Sequence, residues 1–573
     1  MKKLIWLSCI MAAVLMLLVS GAVFAEVEEP PAIVPDGVDC VEATVIEMPS
    51  GDPASVENPP AIALQESGTG EESPAVIPTD TTEPELSVDT QDSVTQITAE
   101  EEAPGEAQDV EIVLVNAQGE PMDMASQETA DLLVIPDPYF YIAGVKIPHT
   151  SIMEAVNDIV AMGVLPDDGM IYVENNTYLE NVSINGVDNL ILSGLKGLVS
   201  ENGSAFTTID GSVTLNGLTA GFTLKGFTII NGGVSIVNNP GAIVLEDLDV
   251  SNPAGIGIVI GDRNSYHHGS AALKDVRAND NASHGATIFT TGNISVINSS
   301  FDDNAGNGLR VESSAGTITI KGVTASRNAD RGIYNLNPFT KTFTLQHVQA
   351  NDNGLHGLDL GFSHSTSGTA TGAFIADTVY LRNNNTSGTT TPPIEGFKLT
   401  TYGAVTLKNI LIEGTTNGSG LNLLHYSTTP VVLQNVISHG NGNIGLSIGT
   451  RGNVSLTSVK STGNGTDGVK ITNWGPDGIG TITITSPASA GISGANDFSD
   501  NGGYGLFLAS NKNITLSNLD ASRNGLDGLY AVTAGNLTIS KTLSNWANGF
   551  NGNEGGSGIL SRAEGSEIGR AHV

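Results

Sequence analysis

The sequence predicts an all-β chain wound as a parallel β-helix solenoid, and three observations lead there. First, a motif of Asn, three variable residues, Gly and an apolar residue recurs, as in SFDDNAGNGLRV (Ser300 to Val311), ANDNGLHGLDL (Ala350 to Leu360) and ASRNGLDGLYA (Ala521 to Ala531). Its Asn residues are Asn281, Asn304, Asn328, Asn353, Asn384, Asn441, Asn464, Asn501 and Asn524, and the first three gaps are 23, 24 and 25 residues. Fixed-period self-similarity marks a solenoid whose repeats bury their apolar faces against one another. Second, apolar residues alternate with period two before the Asn (Ile318 and Ile320, Ile514 and Leu516) and after the Gly (Leu309 and Val311, Leu506 and Leu508). That period belongs to strands, two or three of them per repeat, each three to five residues long. Third, 69 glycines would weigh heavily against helical repeats, while Gly and Asn tolerate the left-handed backbone that turns a chain without a hairpin.

Taken in chain order, Met1 to Ala25 reads as a secretory signal: Lys2 and Lys3, an apolar stretch, then Val23-Phe24-Ala25. Export to the cell surface or the medium is therefore expected, with no membrane span in the mature chain. Residues 26–140 carry 28 Asp and Glu and no Lys or Arg. Residues 26–109 of that stretch are expected to form a disordered acidic linker, because scattered apolar residues cannot offset chain entropy. Within 110–139, VEIVLVNAQGEPMDMAS alternates like a strand and suggests a small β prelude. Cys40 is the sole Cys after the signal, so no internal disulfide is available. Clustered Lys and Arg are lacking, which excludes a nucleic-acid partner.

The solenoid is expected over 140–562. Ile152, Ala155, Val156 and Ile159 fall on one helical face behind Thr150 or Ser151 as N-cap, a short helix suited to cover the first coil. At about 4.8 Å per coil, ~16 coils would make a rod of roughly 75 Å. The long gap between Asn384 and Asn441 hides a degenerate repeat, with Thr416 at the Asn position and Gly420 at the Gly position. Stacked Asn amides are expected to hydrogen-bond along the axis. Ile568 to Val573, IGRAHV, matches a reading frame of a sequencing adapter, so 563–573 are read as an artefactual or truncated end.

With the opening segment Ile147 to Leu195, these repeats resemble the right-handed parallel β-helix repeats of the pectate-lyase-like superfamily, including the NosD-like proteins. The resemblance implies a right-handed coil, and enzymes of that superfamily act on acidic polysaccharides with side chains on one outer face. Their signatures are mostly missing here: only Asp302-Asp303 matches the hydrolase segments, and no GHG, RIK, WIDH or GxxDFIFG segment occurs. No calcium-loop pattern is present, no cofactor is identified, and His267-His268 reads as a solvated loop pair rather than a metal site.

Two columns flank the Asn positions in consecutive repeats. The residue before Asn reads Asp280, Asp303, Arg327, Asp352; the residue before Gly reads His284, Asn307, Arg331, His356. Stacking would gather them on one turn face, with Asp280, His284, Asp302, Arg327 and Arg331 as glycan contacts. Asp303, Asp352 and His356 are the candidates for acid–base work on a sugar. Polar turn residues are also what any exported solenoid carries. The expected function is a structural or adhesin-like surface module, or a glycan-binding one, without catalysis. The alternative is a polysaccharide lyase or glycoside hydrolase acting on an acidic glycan. Aromatic platforms for sugar are sparse, Trp474 and Trp546 being the only Trp in the solenoid.

Overall fold

A computed structural model describes residues 138–563 apart from 167, 195–206, 253, 338, 362–371, 389–393, 474–477, 487–494 and 541–547. The signal, the acidic linker, nearly all of the 110–139 prelude, Trp474, Trp546 and the stretch after Ala563 lie outside the described residues.

The chain is a right-handed parallel β-helix. One coil can be followed from Ile318. The strand Ile318–Thr324 bends at Gly322 (φ 64°), and a second bend comes at Arg327 (φ 56°), just before Asn328. The chain then enters the strand Ile333–Asn335 and turns back to Phe343–Gln349, one coil further on. Pairing between coils is parallel and in register, Ile320 opposite Leu345 and Val323 opposite Val348. The connection from one parallel strand to the next is right-handed, as such crossovers nearly always are. The strands after the Gly stack into one 15-stranded parallel sheet, so at about 4.8 Å per coil the solenoid is about 70 Å long.

The strands before the Asn run longer than the sequence predicts, up to nine residues in Phe222–Ile230, Val405–Glu413 and Val431–His439. The reason is local. A single left-handed residue (Gly226, Asn409, Asn435) bends the chain from one sheet direction to the next without interrupting the pairing. Alternate residues then point inward on both sides of the bend, and nearly all of them are fully buried. Phe343 and Phe374 lie opposite each other in successive coils with ring centroids 5.7 Å apart, and Phe397, further along the same coil as Phe374, packs against it across the core at 5.9 Å.

The spacing of Asn and Gly has a packing cause. Each ladder Asn named above is buried, and where an Asn of the named column precedes it by one coil its Oδ1 accepts both the backbone N–H and the side-chain N–H of that Asn. Asn304 accepts from Asn281 at 3.0 and 2.9 Å, and Asn353 from Asn328 at 3.0 and 3.1 Å. The amide nitrogen also lies against the Gly of the preceding coil. A Cβ on Gly308 would stand 2.7 Å from Asn328 Nδ2, and one on Gly468 2.6 Å from Asn501 Nδ2. Asn and Gly are therefore required together. Two members missed in the sequence extend the column, Asn252 before Asn281 and Asn553 after Asn524. One assignment is corrected: Thr415, not Thr416, holds the degenerate place, since its N–H donates to Asn441 Oδ1 at 3.1 Å. An extra residue between Thr415 and Gly420 shifts the apparent spacing. Thr415 Oγ1 has no hydrogen-bond partner, so the column is weakest there.

A second polar column closes the other end of the 15-stranded sheet. Thr290, Ser313, Thr401, Thr450, Ser510 and Thr533 each accept the N–H of a residue two or three positions on, tying the strand to its turn. His425 occupies this column, with Nδ1 2.9 Å from Thr450 Oγ1 and Nε2 3.0 Å from the Gly403 carbonyl. Burial pushes its pKa down to about 4. Between that value and 6.5 the unfolded chain binds a proton that the folded chain refuses, so stability falls as pH drops through this window. The loss is roughly 3 kcal/mol from this group. Replacing His425 with Thr, the residue of the neighbouring coils, is expected to shrink the fall in thermal midpoint between pH 7.5 and pH 4.5. An unchanged fall would refute the assignment.

The helix α1 (Ile152–Met162) covers the first coil as its pattern predicts, burying Ile152, Ala155, Val156 and Ile159. Ser151 is the N-cap, accepting from Glu154 N–H at 3.0 Å, while the Glu154 carboxylate accepts from Thr150 N–H at 2.7 Å. Glu180 of the first coil fixes the helix in place by accepting the N–H groups of Ile152 and Met153 at 2.8 and 3.1 Å. A feature absent from the sequence reading precedes it. The hairpin Tyr139–Ile142 with Val145–Pro148 pairs antiparallel and touches the first rung at Tyr139 opposite Tyr172, covering an edge that would otherwise be open.

Candidate functional site

The two turn columns that the sequence grouped on one face are parted by the structure. In the column before Asn, the residues Asp280, Asp303, Arg327 and Asp352 have φ between 55° and 60°, and Asn383, Gly414, Gly440, Gly463, Asp500, Arg523 and Gly552 continue it with positive φ. A left-handed backbone favours Gly, Asn and Asp, so this column answers first to the bend. Its side chains line a shallow depression over the Asn turn and bond along the axis. Arg327 makes a two-pronged contact with Asp303 at 2.8 and 2.7 Å, and Arg523 repeats it with Asp500 at 2.7 and 2.8 Å. Asp352 accepts from Asn383 Nδ2 at 3.1 Å, and Asp302 accepts from Ser326 N–H at 2.6 Å.

The column before Gly leads elsewhere. His284 Nδ1 accepts from Asn307 N–H at 2.9 Å, and Asn307 Oδ1 accepts from Arg331 N–H at 3.2 Å. Far down the solenoid, Asp467 Oδ1 accepts from Tyr504 N–H at 3.0 Å in the same way. These side chains therefore share a third ladder, whose outer rims meet the outward residues of the 15-stranded sheet. Register places those residues in one file: Thr287, Arg310, Tyr334, Asp359, Lys398 and Asn422.

Where the two files meet, charged groups crowd. Asp359, 7% exposed, receives Arg331 Nε at 2.8 Å and Lys398 Nζ at 3.4 Å, with His356 Nε2 3.9 Å away. Glu395 accepts from Asn422 Nδ2 at 2.9 Å and lies 3.5 Å from His356 Nδ1. Glu312, wholly buried, is held by Arg310 at 2.9 Å, Tyr266 at 3.2 Å and Asn337 at 2.5 Å. The Tyr334 ring lies between Arg331, 4.6 Å from its centroid, and Arg310 at 5.4 Å. Burial lowers the pKa of His356 against the pull of Asp359 and Glu395, and burial likewise raises that of Tyr334. His284 is lowered first by burial and then by the charge of Arg310.

Arg331, Tyr334, Asp359, Lys398 and Thr400 line a cavity of about 200 Å³. Two cations converge on Asp359 there, with Asp330 3.8 Å from Arg331 Nη1 and making no hydrogen bond to it, so donors remain for a further anionic group, while Tyr334 supplies an apolar wall. Of the residues singled out in the sequence, Arg331 and His356 belong to this cluster and His284 to its rim. Asp280, Asp303, Arg327 and Asp352 line the depression over the Asn turn instead, and Asp302 lies beside it, accepting from Thr324 Oγ1 and 4.0 Å from Arg327 Nη2. Arg310, Glu312, Tyr334, Asp359, Glu395 and Lys398 were missed. Arg310, Tyr334, Asp359 and Lys398 are each the second residue of a strand after the Gly, Glu312 is the fourth of its strand, and Glu395 is the residue before Gly396, so the signal was available in principle.

No protein-family model matches the chain, and no curated protein matches it. Among solved structures it is similar to the A-module of the mannuronan C-5 epimerase AlgE6 of Azotobacter vinelandii. The identity is 14% and the TM-score 0.33, with 62% of this chain and 93% of that one covered. It is similar also to the catalytic unit of a GH87 α-1,3-glucanase from Streptomyces thermodiastaticus, at 15% identity and a TM-score of 0.37, covering 59% and 66%. A third likeness is to the pectate lyase Pel9A, at 15% identity and a TM-score of 0.23, covering 69% and 73%. The β-helix itself rests on the strand register above.

Proposed function

We propose that this chain is an exported β-helix protein that binds an acidic polysaccharide on the outer face of its 15-stranded sheet, without cleaving it. The observation that carries the reading is the cavity beside Tyr334, where Arg331 and Lys398 converge on the carboxylate of Asp359, while the next carboxylate, Asp330, stands 3.8 Å from Arg331 Nη1, beyond hydrogen-bond distance. A uronate carboxylate would complete the second pairing there, and guanidinium suits such two-pronged contacts. Catalysis is disfavoured because the acid–base groups are already engaged. His356 is 3% exposed with Nδ1 against the Glu395 backbone, and each carboxylate holds at least one close donor. A general base must reach its proton.

One observation favours the rival reading of a lyase or hydrolase: burial lowers the pKa of His356 against the opposing pull of Asp359 and Glu395, which favours the neutral imidazole that can accept a proton. Both are tested with pectin, alginate and glucuronan. Retention on at least one immobilised polymer is expected, weakening with salt, and falling about tenfold in Arg331→Gln or Lys398→Gln, in proportion to one lost charge-assisted contact. Retention equal to wild type in both variants would end the binding proposal. Unsaturated or reducing ends that appear with wild type and vanish in Asp359→Asn or His356→Ala would establish the enzyme instead.

A further inference from the structure

The same two files of side chains run on past the charged cluster and change character. In the outward file Asn422 is followed by Ser447, Lys470, Phe507, Tyr530 and Leu560, each opposite the last in parallel register. In the file before Gly, Asp467 is followed by Tyr504 and Asp527, joined by the backbone bonds Gly468 N–H to Tyr504 O and Gly505 N–H to Asp527 O. Tyr504, Phe507 and Tyr530 meet there. Phe507 and Tyr530 stack with centroids 5.1 Å apart and planes at 19°, and Tyr504 lies 5.8 and 5.4 Å from them. All three are partly exposed, and Leu526 and Leu560 beside them are 40% and 49% exposed. The stacked rings of Phe507 and Tyr530, with Tyr504 packed on them, thus form an apolar shelf across two coils, edged by Lys470, whose Nζ is 5.3 Å from the Phe507 centroid, and backed by Asp467 and Asp527, whose carboxylates accept the N–H groups of Tyr504 and Ser557.

A partly exposed aromatic cluster with a cation at its edge is complementary to a pyranose, which offers C–H groups and a hydroxyl rim. It suits a second copy of this chain less well, because the ammonium of Lys470 at its edge would need a partner within the contact. Phe507 stands five rungs beyond Asp359 in the outward file, through Lys398, Asn422, Ser447 and Lys470. The separation is about 24 Å at ~4.8 Å per coil. One coil advances by about the length of one sugar unit, so a chain laid along the axis would meet each coil with one residue.

We propose that Tyr504, Phe507 and Tyr530 form a second glycan subsite, which stacks pyranose rings of the same polymer chain whose carboxylate sits between Arg331 and Lys398. The inference rests on the binding reading above and adds a length requirement to it: only a chain several sugars long can occupy both places. Joining two weak sites through one ligand raises affinity without any new contact.

The test is calorimetric titration of the full exported protein with uronate oligomers of two and of ten residues. The ten-residue chain is expected to bind at least tenfold tighter than the two-residue one. A Phe507→Leu/Tyr530→Leu variant, which keeps apolar bulk but removes the flat faces, should lose that advantage and bind the short oligomer as wild type does. Arg331→Gln should weaken both. A Leu variant that binds the ten-residue chain like wild type overturns the subsite while leaving the charged site standing. Wild type that binds neither oligomer removes the charged-site reading and this inference with it. A wild-type dimer in sedimentation that the Leu variant abolishes assigns the shelf to self-association and overturns the inference as well. Phe507→Tyr, which restores a flat face, is expected to retain long-chain binding, separating stacking from a folding defect.

Discussion

Replacing Asn353 with Leu should cost roughly 3–5 kcal/mol of local stability, because several buried polar groups lose a partner at once. Asn353 is 0% exposed. Its Oδ1 accepts from the N–H and Nδ2 of Asn328, and its Nδ2 donates to the Ala325 carbonyl at 3.1 Å and to Asn384 Oδ1 at 3.0 Å. Leu keeps the volume and supplies none of these bonds. In a solenoid each coil is stabilised by its neighbours, so the defect should divide one cooperative unit into two. Hydrogen exchange is expected to show opened amides on both sides of coil 353 and a thermal transition split into two steps. Asn353→Asp should behave differently with pH. Its carboxyl can still accept but faces the Asn384 oxygen, so it folds best protonated, and stability should recover as pH falls. A single wild-type transition in both variants would show that the ladder contributes little.

The second large effect is expected at Glu312. Arg310 holds this wholly buried carboxylate at 2.9 and 3.2 Å and lies over the Phe289 ring at 4.8 Å. Arg310→Met preserves much of the packing but strands the charge, at an expected cost of about 3–5 kcal/mol. Removing both partners in Arg310→Met/Glu312→Leu should recover most of that loss, since an apolar pair often replaces a buried ion pair at little cost. Thermal midpoints of the two variants decide it. A double variant no more stable than the single would mean that Tyr266 and Asn337, rather than the charge, set the energy.

How much of this was legible in the sequence depends on what the residues were asked to do. The Asn and Gly positions were readable because packing one against the other disfavours substitution, and that constraint repeats from coil to coil with Thr415 as the exception. The helix over Ile152–Met162 was readable for the same reason, four apolar residues answering to one face. Asn252 and Asn553 escaped because each stands 29 residues from its neighbour in the ladder, outside the dominant period. The charged cluster was half visible. Arg331 and His356 sit at a fixed offset from Gly, whereas Tyr334, Asp359 and Lys398 occupy the outward position of alternating strands, which in one dimension reads as an ordinary solvent-facing residue. Only register brings them together, and the insertion between Leu360 and Phe397 hides that register from any count along the chain. The aromatic shelf was missed because attention to Trp overlooked Tyr and Phe spread over two repeats.

The ladder has a chemical consequence beyond folding. Asn353, Asn441, Asn464, Asn501 and Asn524 are each followed by Gly, the pairing in which an Asn side chain most readily cyclises onto the next backbone nitrogen and loses its amide. Here that nitrogen is occupied in every case. Gly354 N–H donates to the Asn328 carbonyl at 2.8 Å, Gly442 to Thr415 at 2.9 Å, Gly465 to Asn441 at 2.8 Å, Gly502 to Asn464 at 2.9 Å and Gly525 to Asn501 at 2.8 Å. The attacking atom points along the axis, and the side-chain carbonyl is itself engaged by the coil before. If the chain is exported as proposed it could not be renewed in place, and thermolabile Asn would be a hazard there. The coil that makes these five Asn necessary thus also guards them from ageing, and they become vulnerable only where the stack has already come apart.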